Sequence, residues 1–360
     1  MRFRFAPQGG RQWLAALGRL LVLIVVLMSS LLALLQMPGS SFSGPLPRLS
    51  TEEERCAERL AGHVRTLAQE IGPRNIWTAD TMAETVDYLR SELSAMGYEV
   101  LEQSYQAENT TSLNLEVEIR GQGLASEIVV VGAHYDTVYN CPGANDNGSG
   151  LAVLLELARH LAASRPERTI RLVAFANEEP PFFLNKSMGS SHYAKQARAR
   201  QDDIKAMLAL ETMGFYSDEP GSQNYPFPLG FFYPDQANFI AFAGNIGSRR
   251  LVRQAIGAFR RHGHFPSEGL AAPSFVTGID WSDHWSFWQE GYQAIMVTDT
   301  AFYRYAAYHT SQDTPEKLDY ERLARVVSGL LPTILELAAA KPEHVFAPQA
   351  TGRGADEKNL

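Results

Sequence analysis

Residues 129–138 read VVVGAHYDTV and decide the fold class: an apolar run ends at Ala133, and the polar residues His134 and Asp136 follow. The continuous apolar run predicts a central strand that is buried on both faces. Because alternate residues of an extended chain point the same way, His134 and Asp136 are expected on one side of the strand end. A His-X-Asp pair alone is a weak signal, since polar pairs are common in strand-end loops.

Strand-like and helix-like patterns alternate along the rest of the chain. Strands are predicted at 99–105, 113–119, 128–131, 170–176 and 206–210, and helices at 51–70, 79–96, 148–163 and 249–262. This alternation predicts an α/β fold with a mostly parallel sheet. Active sites of such folds lie at the carboxyl ends of the strands. Polar motifs that directly follow apolar strands are therefore the candidates for chemistry.

The motif GANDNGSG at 143–150 places Asp146 just before a predicted helix. Asp146 is suited to capping that helix, to binding a metal, or to both. Glycines at 143, 148 and 150 allow the close backbone approach that a metal-binding turn needs.

Two further motifs bring carboxylates to strand ends. In NEE, Glu178 and Glu179 follow a predicted buried strand, where adjacent carboxylates are costly unless cations or metals pair with them. One glutamate can bind a metal while the other accepts a proton from the attacking water. Glu211 follows the next apolar strand in LALETMG, and His309 lies in YHTSQDT with Asp313.

The charges of these side chains match a pair of zinc ions. The four positive charges of two Zn²⁺ ions would be balanced by Asp146, Glu179, Glu211 and one bridging hydroxide. Two metals about 3.5–4 Å apart would polarise a carbonyl and supply the nucleophile near neutral pH. The predicted cofactor is therefore Zn²⁺, two ions per chain, in a site suited to amide hydrolysis.

Six motifs in order give the chain a specific resemblance. HYD, GANDNGSG, NEE, LETMG, SDHWSFWQEGYQAIMVTDTAFYR and YHTSQDT make it similar to the metallopeptidase family of bacterial leucyl aminopeptidase, aminopeptidase Y and glutamate carboxypeptidase II. The resemblance covers roughly residues 55–340. It implies a three-layer α/β/α sandwich with a mixed, mostly parallel central sheet and co-catalytic zinc.

The resemblance also implies a role for each site residue. His134 would bind one metal, Asp146 would bridge, and Glu179 and His309 would bind the other. Glu178 would be the general base, and Asp136 would orient His134. The LETMG position is usually aspartate in this family, and Glu211 replaces it here with a longer arm that can still reach the metal.

Two segments are expected around the substrate. Residues 282–288 and 302–308, with Arg304, are expected to line the pocket or to pack as aromatic side chains beneath a loop. Residues 217–238 form a stretch too long and too rich in Gly, Pro and aromatics for an ordinary connection. This stretch is a candidate lid that would restrict entry to small substrates.

The N-terminus predicts a membrane anchor. Residues 13–35 are apolar apart from Arg19 and a few Gly and Ser residues, and about 20 apolar residues span a bilayer. The preceding arginines predict a cytoplasmic tail at 1–12, a transmembrane signal-anchor at 13–36 and an extracytoplasmic catalytic domain, periplasmic in a bacterium. A cleaved signal peptide and a buried core helix are the alternatives. The other predicted divisions are a linker at 37–50, the peptidase domain at 51–345 and a disordered tail at 346–360.

Composition narrows the functional classes. A net charge of -8 provides no basic surface for a phosphate backbone, so no nucleic-acid partner is expected. The two cysteines, Cys56 and Cys141, leave a single bridge open. The leading expectation is an exopeptidase, most simply an aminopeptidase, acting on short peptides. A single-zinc glutaminyl cyclase-like acyltransferase and a non-catalytic scaffold or receptor are the alternatives. The residues determine neither the preferred terminal residue, nor the peptide end that is read, nor the oligomeric state.

Overall fold

A computed structural model describes residues 9–339. The predicted tail at 346–360 and the first eight residues of the predicted N-terminal tail lie outside them. Within the described residues, eight strands form one mixed sheet in the order β1-β2-β4-β3-β5-β8-β6-β7. The strands are β1 (Leu101–Ala107), β2 (Thr110–Ile119), β3 (Leu124–His134), β4 (Arg168–Phe175), β5 (Asp203–Glu211), β6 (Ile240–Asn245), β7 (Ser267–Ala272) and β8 (Ala294–Thr298).

The middle of the sheet is parallel. Strand β3 pairs in parallel with β4 and β5, β5 pairs in parallel with β8, and β6 pairs in parallel with β7. The pairs β1–β2, β2–β4 and β6–β8 are antiparallel. This arrangement confirms the predicted α/β class with a mixed sheet. Because β3, β4, β5 and β8 run the same way, their carboxyl ends meet at one edge of the sheet.

Helices cover both faces of the sheet. The helices are α1 (Gly10–Leu35), which is mostly exposed and belongs to neither core, α2 (Thr51–Arg65), α3 (Ala79–Ala95), α4 (Gly150–Leu161), α5 (Gly189–Ala199), α6 (Arg249–His262), α7 (His284–Gln289) and α8 (Tyr320–Ala338). Successive residues of β3 point to opposite faces, so Val131 packs in the larger core with residues of α2, α4, α6 and α8. Val130 packs on the other face with Tyr193 of α5 and Phe287 of α7.

The predicted membrane anchor at 13–36 is wrong. Helix α1 forms over most of that range, but among the described residues no helix is both long and apolar enough to cross a membrane. A crossing helix needs about 20 predominantly apolar residues, and Gly18 and Arg19 interrupt the apolar run of α1. The predicted cytoplasmic N-terminus and extracytoplasmic domain depended on this anchor, so they are withdrawn with it.

Residues 36–50, which include the predicted linker, contain neither helix nor strand and lie against α6 and β7. Arg260 Nη1 donates to the carbonyl of Pro38 at 3.3 Å, and the backbone N–H of Ser267 donates to Ser41 Oγ at 2.9 Å. The segment therefore follows the surface of the domain. Cys56 and Cys141 are both buried free thiols, so the disulfide left open by the sequence is not formed.

Candidate metal centre

The first group of predicted ligands converges on the imidazole of His134, the last residue of β3. His134 is completely buried, and its Nε2 lies 3.3 Å from Asp146 Oδ1 and 3.2 Å from Glu211 Oε2. Its Nδ1 lies 3.1 Å from the backbone carbonyl oxygen of Asp136. A proton on Nδ1 would be donated to that carbonyl, which leaves the Nε2 lone pair facing the two carboxylates.

The second group forms around the other oxygen of Asp146. His309 Nε2 lies 2.9 Å from Asp146 Oδ2 and 3.3 Å from Glu179 Oε1. The ring of Tyr308 stacks on His309 with 3.8 Å between centroids, which holds the imidazole in this orientation. Each group places three ligand atoms within 4.8 Å of one another, and Asp146 belongs to both. The structure thus brings all five predicted metal ligands together as two sites bridged by one carboxylate.

Buried atoms of this centre fit a pair of cations. In the described part of the chain, His134 Nε2, both carboxylate oxygens of Asp146 and Glu179 Oε1 are buried. Although they lie within 3.3 Å of atoms of the same two groups, none makes a hydrogen bond of acceptable geometry. Buried polar atoms normally have partners, because an unpaired one loses its hydration without compensation. Nitrogen and carboxylate oxygen ligands are those that zinc takes. The residues present therefore fit zinc, with two candidate groups of ligands that share Asp146.

The loop that carries Asp146 is held from behind by Asp313. The carboxylate of Asp313 accepts from the backbone N–H of Asn145 at 2.8 Å and of Asp146 at 3.0 Å. The peptide bond after Asp146 is cis. Gly143 has φ +65°, and a Cβ there would lie 2.2 Å from a methyl of Thr137, so glycine is required at that position. Asp313 belongs to the motif YHTSQDT, but the sequence did not indicate that it would hold the loop of Asp146.

Asp136 holds the turn that bears the two glutamates. Its Oδ1 accepts from the backbone N–H of Glu178 and its Oδ2 from that of Glu179, each at 2.9 Å. Oδ1 also lies 3.4 Å from His134 Nδ1. Asp136 therefore lies beside His134, as expected for a residue that orients it. Asp136 also binds the backbone of both glutamates, a contact that the sequence pattern did not indicate.

Glu178 stands beside both ligand groups and belongs to neither. Its Oε2 is 4.0 Å from His134 Nε2. Burial, together with the negative charges of Glu179 and Glu211, raises the pKa of Glu178 well above its ordinary value, although His134 opposes the shift. Burial and the charge of Asp146 likewise raise the pKa of Glu179, to about 8. The raised pKa values show that the cationic side chains nearby do not balance the negative charge of this carboxylate cluster.

Arg74 is a positioning residue for which the sequence carried no signal. Its side chain is completely buried and donates only to backbone carbonyls, those of Leu67, Gly72, Tyr135, Pro142 and Gly143. Tyr135 lies between His134 and Asp136, and Gly143 opens the turn that leads to Asp146. The guanidinium of Arg74 therefore connects the segment that carries His134 with the turn that carries Asp146, two of the three ligands of the first group.

A cavity opens beside Glu211 and extends over β8, β6 and β7. Phe302, Tyr303 and Tyr308 line it, as expected for the segment at 302–308. Ser282, from the other expected segment, donates to Glu211 Oε2 at 2.8 Å. Arg304 lies behind the wall instead, where it donates to Gln223 Oε1 at 2.7 Å and to the carbonyl of Phe239 at 2.8 Å.

The candidate lid at 217–238 forms part of the cavity wall. It contributes Gln223, Tyr225, Pro226, Leu229 and Tyr233 to the lining. Tyr233 donates its hydroxyl to the carbonyl of Gly269 on β7 at 2.7 Å, which ties the segment to the edge of the sheet. Whether this segment restricts substrate size stays a prediction.

Several known proteins are similar to this chain. The uncharacterized protein YfbL of Escherichia coli (strain K12) is 38% identical over 292 residues, which cover 78% of this chain and 88% of YfbL. Aminopeptidase YwaD of Bacillus subtilis (strain 168) is 29% identical over 222 residues, which cover 60% of this chain but only 42% of YwaD.

Solved structures share the fold. BSAP, a zinc aminopeptidase from Bacillus subtilis, superimposes with a TM-score of 0.62 at 18% identity, covering 79% of this chain and 95% of BSAP. The glutaminyl cyclase of Fimbriiglobus ruber superimposes with a TM-score of 0.59 at 19% identity, covering 82% of this chain and 98% of the cyclase. At these identities the likeness shows a common fold and leaves the reaction open.

A sequence match to a family model, which includes the residues of the metal centre, identifies the family of this chain. The model of peptidase family M28 matches residues 114–334, more than half of the chain, and this range contains every residue from His134 to His309 that forms the centre. The resemblance predicted from six motifs, and with it the prediction of a metallopeptidase, is confirmed. This chain belongs to peptidase family M28.

Proposed function

We propose that this chain is a zinc-dependent aminopeptidase that holds two zinc ions and removes N-terminal residues from short peptides. One observation carries the proposal: two complete groups of ligands, buried except for His309, share Asp146, and Glu178 stands beside them without belonging to either. His134, Asp146 and Glu211 would hold one ion, and Asp146, Glu179 and His309 the other.

The protein's own residues divide the work of hydrolysis. Zinc, when bound, would polarise the scissile carbonyl and activate the attacking water. Glu178 would accept the proton of that water and pass it to the departing amine. Asp136 holds Glu178 in place through the backbone of the turn. Removing such a general base typically costs about 10²–10⁴ in rate.

The charges around the cavity favour a substrate read from its amino end. Among the described residues that line the cavity, the charged ones are Glu211 and Glu268, and none is Lys, Arg or His. Recognition of a terminal carboxylate relies on a cation, commonly the bidentate guanidinium of an arginine. The carboxylates of Glu178 and Glu179 can instead accept hydrogen bonds from a terminal ammonium group. A carboxypeptidase is therefore the poorer fit.

Glutaminyl cyclase is the second candidate, because a cyclase shares the fold. Such a single-zinc acyltransferase would need one ligand group, whereas this chain keeps both. A non-catalytic scaffold would need neither group. The number of zinc ions bound per chain therefore separates the three functions.

The test is metal analysis and peptide cleavage by the purified full-length chain. We expect two zinc ions per chain by mass spectrometry of the metals, and release of the first residue from peptides with a free amino group. Matched N-acetylated peptides should stay intact and serve as the control. One zinc per chain with cyclisation of N-terminal glutamine would replace the proposal with the cyclase, and release of the last residue would replace it with a carboxypeptidase.

A further inference from the structure

A row of residues runs across the sheet from the metal centre to the far end of the cavity. Glu211 of β5 is paired with Thr298 of β8, and Thr298 is paired with Ala241 of β6. Ala241 is in turn paired with Glu268 of β7. Directly paired residues point to the same face of a sheet, and all four line the cavity. Three strand spacings of about 4.8 Å place the backbones of Glu211 and Glu268 about 14 Å apart.

The space between the two glutamates is apolar. Met296 and Leu270 lie on the same face of the sheet in the next row, paired through Ala243. Above them, Tyr225 and Tyr233 stack with 5.6 Å between ring centroids. Because Tyr233 is also tied to β7 by its hydroxyl, these rings cover the end of the cavity that lies away from the metal centre. The cavity thus has an apolar body and an acidic end.

Glu268 keeps free acceptor capacity at that end. The nearest cation is Arg260, whose Nη2 lies 3.6 Å from Glu268 Oε2, beyond hydrogen-bond distance. Arg260 donates its N–H groups elsewhere, to Ser267 and to the carbonyls of residues 38 and 39. Ser41 is a further hydrogen-bonding neighbour of the Glu268 carboxylate. A carboxylate has about four acceptor positions, so these neighbours leave it able to bind a second cation from the cavity side.

We propose that Glu268 makes this enzyme selective for peptides whose first residue is arginine or lysine. This inference rests on the proposed aminopeptidase function. The first side chain would lie along the apolar body of the cavity, and its charged end would reach Glu268, as long basic side chains commonly bury their stems and keep the charge paired. Two carboxylates and no lining cation would exclude acidic side chains, and short apolar side chains would leave Glu268 without a partner.

The test compares amino acid amides that differ only at the end of the side chain. Argininamide and citrullinamide have the same shape, but only argininamide carries a positive charge at the end of its side chain. Leucinamide has an apolar side chain, so its affinity measures binding to the apolar body of the cavity alone. Binding is measured by calorimetry on the zinc-loaded full-length chain that carries Glu178→Gln, so that the amides are not hydrolysed during the titration, and it is compared with and without Glu268→Gln. Hydrolysis of the corresponding aminoacyl coumarin amides is measured in parallel on the chain that keeps Glu178. We expect argininamide to bind at least tenfold more tightly than citrullinamide, and Glu268→Gln to abolish that ratio while binding of leucinamide changes less than twofold.

Equal affinity for argininamide and citrullinamide in the chain that keeps Glu268 would overturn the selectivity. An equal loss of affinity for all three amides in Glu268→Gln would overturn it as well. Zinc content and thermal unfolding of the variant control for damage to the Arg260 contact. Because binding is measured apart from turnover, the two proposals fail separately. Glu268-dependent binding without hydrolysis would keep the selectivity and reject the peptidase, whereas hydrolysis without discrimination would do the opposite.

Discussion

The backbone N–H of Glu178 donates a hydrogen bond to the carboxylate of Asp136, with 2.9 Å between N and Oδ1. The second oxygen of Asp136 accepts from the next residue of the same turn. One buried carboxylate therefore sets the position of the proposed general base and of a proposed metal ligand together.

Asp136→Asn should weaken metal binding. The amide keeps one acceptor oxygen but turns an NH₂ group toward the second backbone N–H, so the turn loses a hydrogen bond and gains a repulsion. Loss of such an outer contact typically costs about 10–100-fold in metal affinity. Titration of the metal-free protein with zinc measures this. Asp87→Asn, with a side chain 75% exposed on α3, is the matched control. Unchanged zinc affinity in Asp136→Asn would show that the turn keeps its shape without the second hydrogen bond.

Glu178→Gln and Glu179→Gln should separate catalysis from metal binding. The two residues are adjacent and equally buried, but only Glu179 belongs to a ligand group. Glu178→Gln should keep both zinc ions and lose about 10²–10⁴ in kcat. Glu179→Gln should lose zinc. Metal content and peptide turnover are measured on the same samples, and loss of zinc from Glu178→Gln would remove its assignment as the base.

Arg74→Met should destabilise the fold and the metal centre. The substitution removes one donor from each of five carbonyls. Those of Leu67 and Gly143 still accept from a backbone N–H, but the buried carbonyls of Gly72 and Tyr135 lose the donor that Arg74 provides, and each unpaired buried group costs about 1–3 kcal/mol. We expect a loss of at least about 3 kcal/mol in the free energy of unfolding, measured with urea. Arg74→Lys should rescue little, because an ammonium has three donors and no planar fork. Arg55→Met, at a side chain 64% exposed on α2, should change stability little. A stable Arg74→Met protein with full zinc affinity would contradict the role of Arg74 in joining the ligand loops.

The ionisation of Glu156 should make the free energy of unfolding depend on pH in the acidic range. This buried residue of α4 accepts from Arg59 Nε at 2.9 Å. Burial alone would raise its pKa, but His63 and Arg59 outweigh burial and lower it to about 2, against an ordinary value of 4.5. Because the unfolded chain binds the proton more tightly, the stabilisation is complete above about pH 4.5 and is lost as the pH falls toward 2.

Glu156→Gln tests this with urea unfolding at several pH values. The difference in unfolding free energy between the unaltered chain and the variant should be largest near pH 7, at most about 3 kcal/mol, and should shrink between pH 5 and pH 2. Glu58→Gln, on the exposed side of α2, should show no such trend. A difference that stays constant with pH would mean that Glu156 acts through packing and not through its charge.

Four of the five candidate ligands could be predicted from the sequence because each follows a recognisable local pattern, whereas His309 lies in a loop without one. An apolar strand that ends in a polar residue marks His134 and Glu211, and a glycine-rich turn before a helix marks Asp146. Strands β6 and β7 escaped prediction because their sequences, IAFAGN and SEGLAA, are rich in Ala and Gly and poor in β-branched residues. Helix α8 also escaped prediction, and it has a proline at 332 within its length.

Other features depend on tertiary contacts that no local pattern reports. The partners of Arg74 come from residues 67–143, and only the folded chain brings those carbonyls around one guanidinium. Arg304 donates to Gln223 of the segment at 217–238 and to the carbonyl of Phe239 just before β6, and no local pattern indicated that these contacts would bury it. The anchor prediction was wrong because the apolar run and the preceding arginines favoured a spanning helix, whereas no helix among the described residues is long and apolar enough to cross a membrane.

The position of His309 near the end of the domain has a consequence for biosynthesis. Strand β8 inserts between β5 and β6 and precedes His309 in the chain, so the outer strands β6 and β7 join the sheet only through residues made late in translation. A nascent chain that has not yet released residues 309–313 from the ribosome lacks His309 of the second ligand group, and it also lacks Asp313, which holds the loop of Asp146. Both ligand groups can therefore be completed only after the last strand of the sheet has left the ribosome.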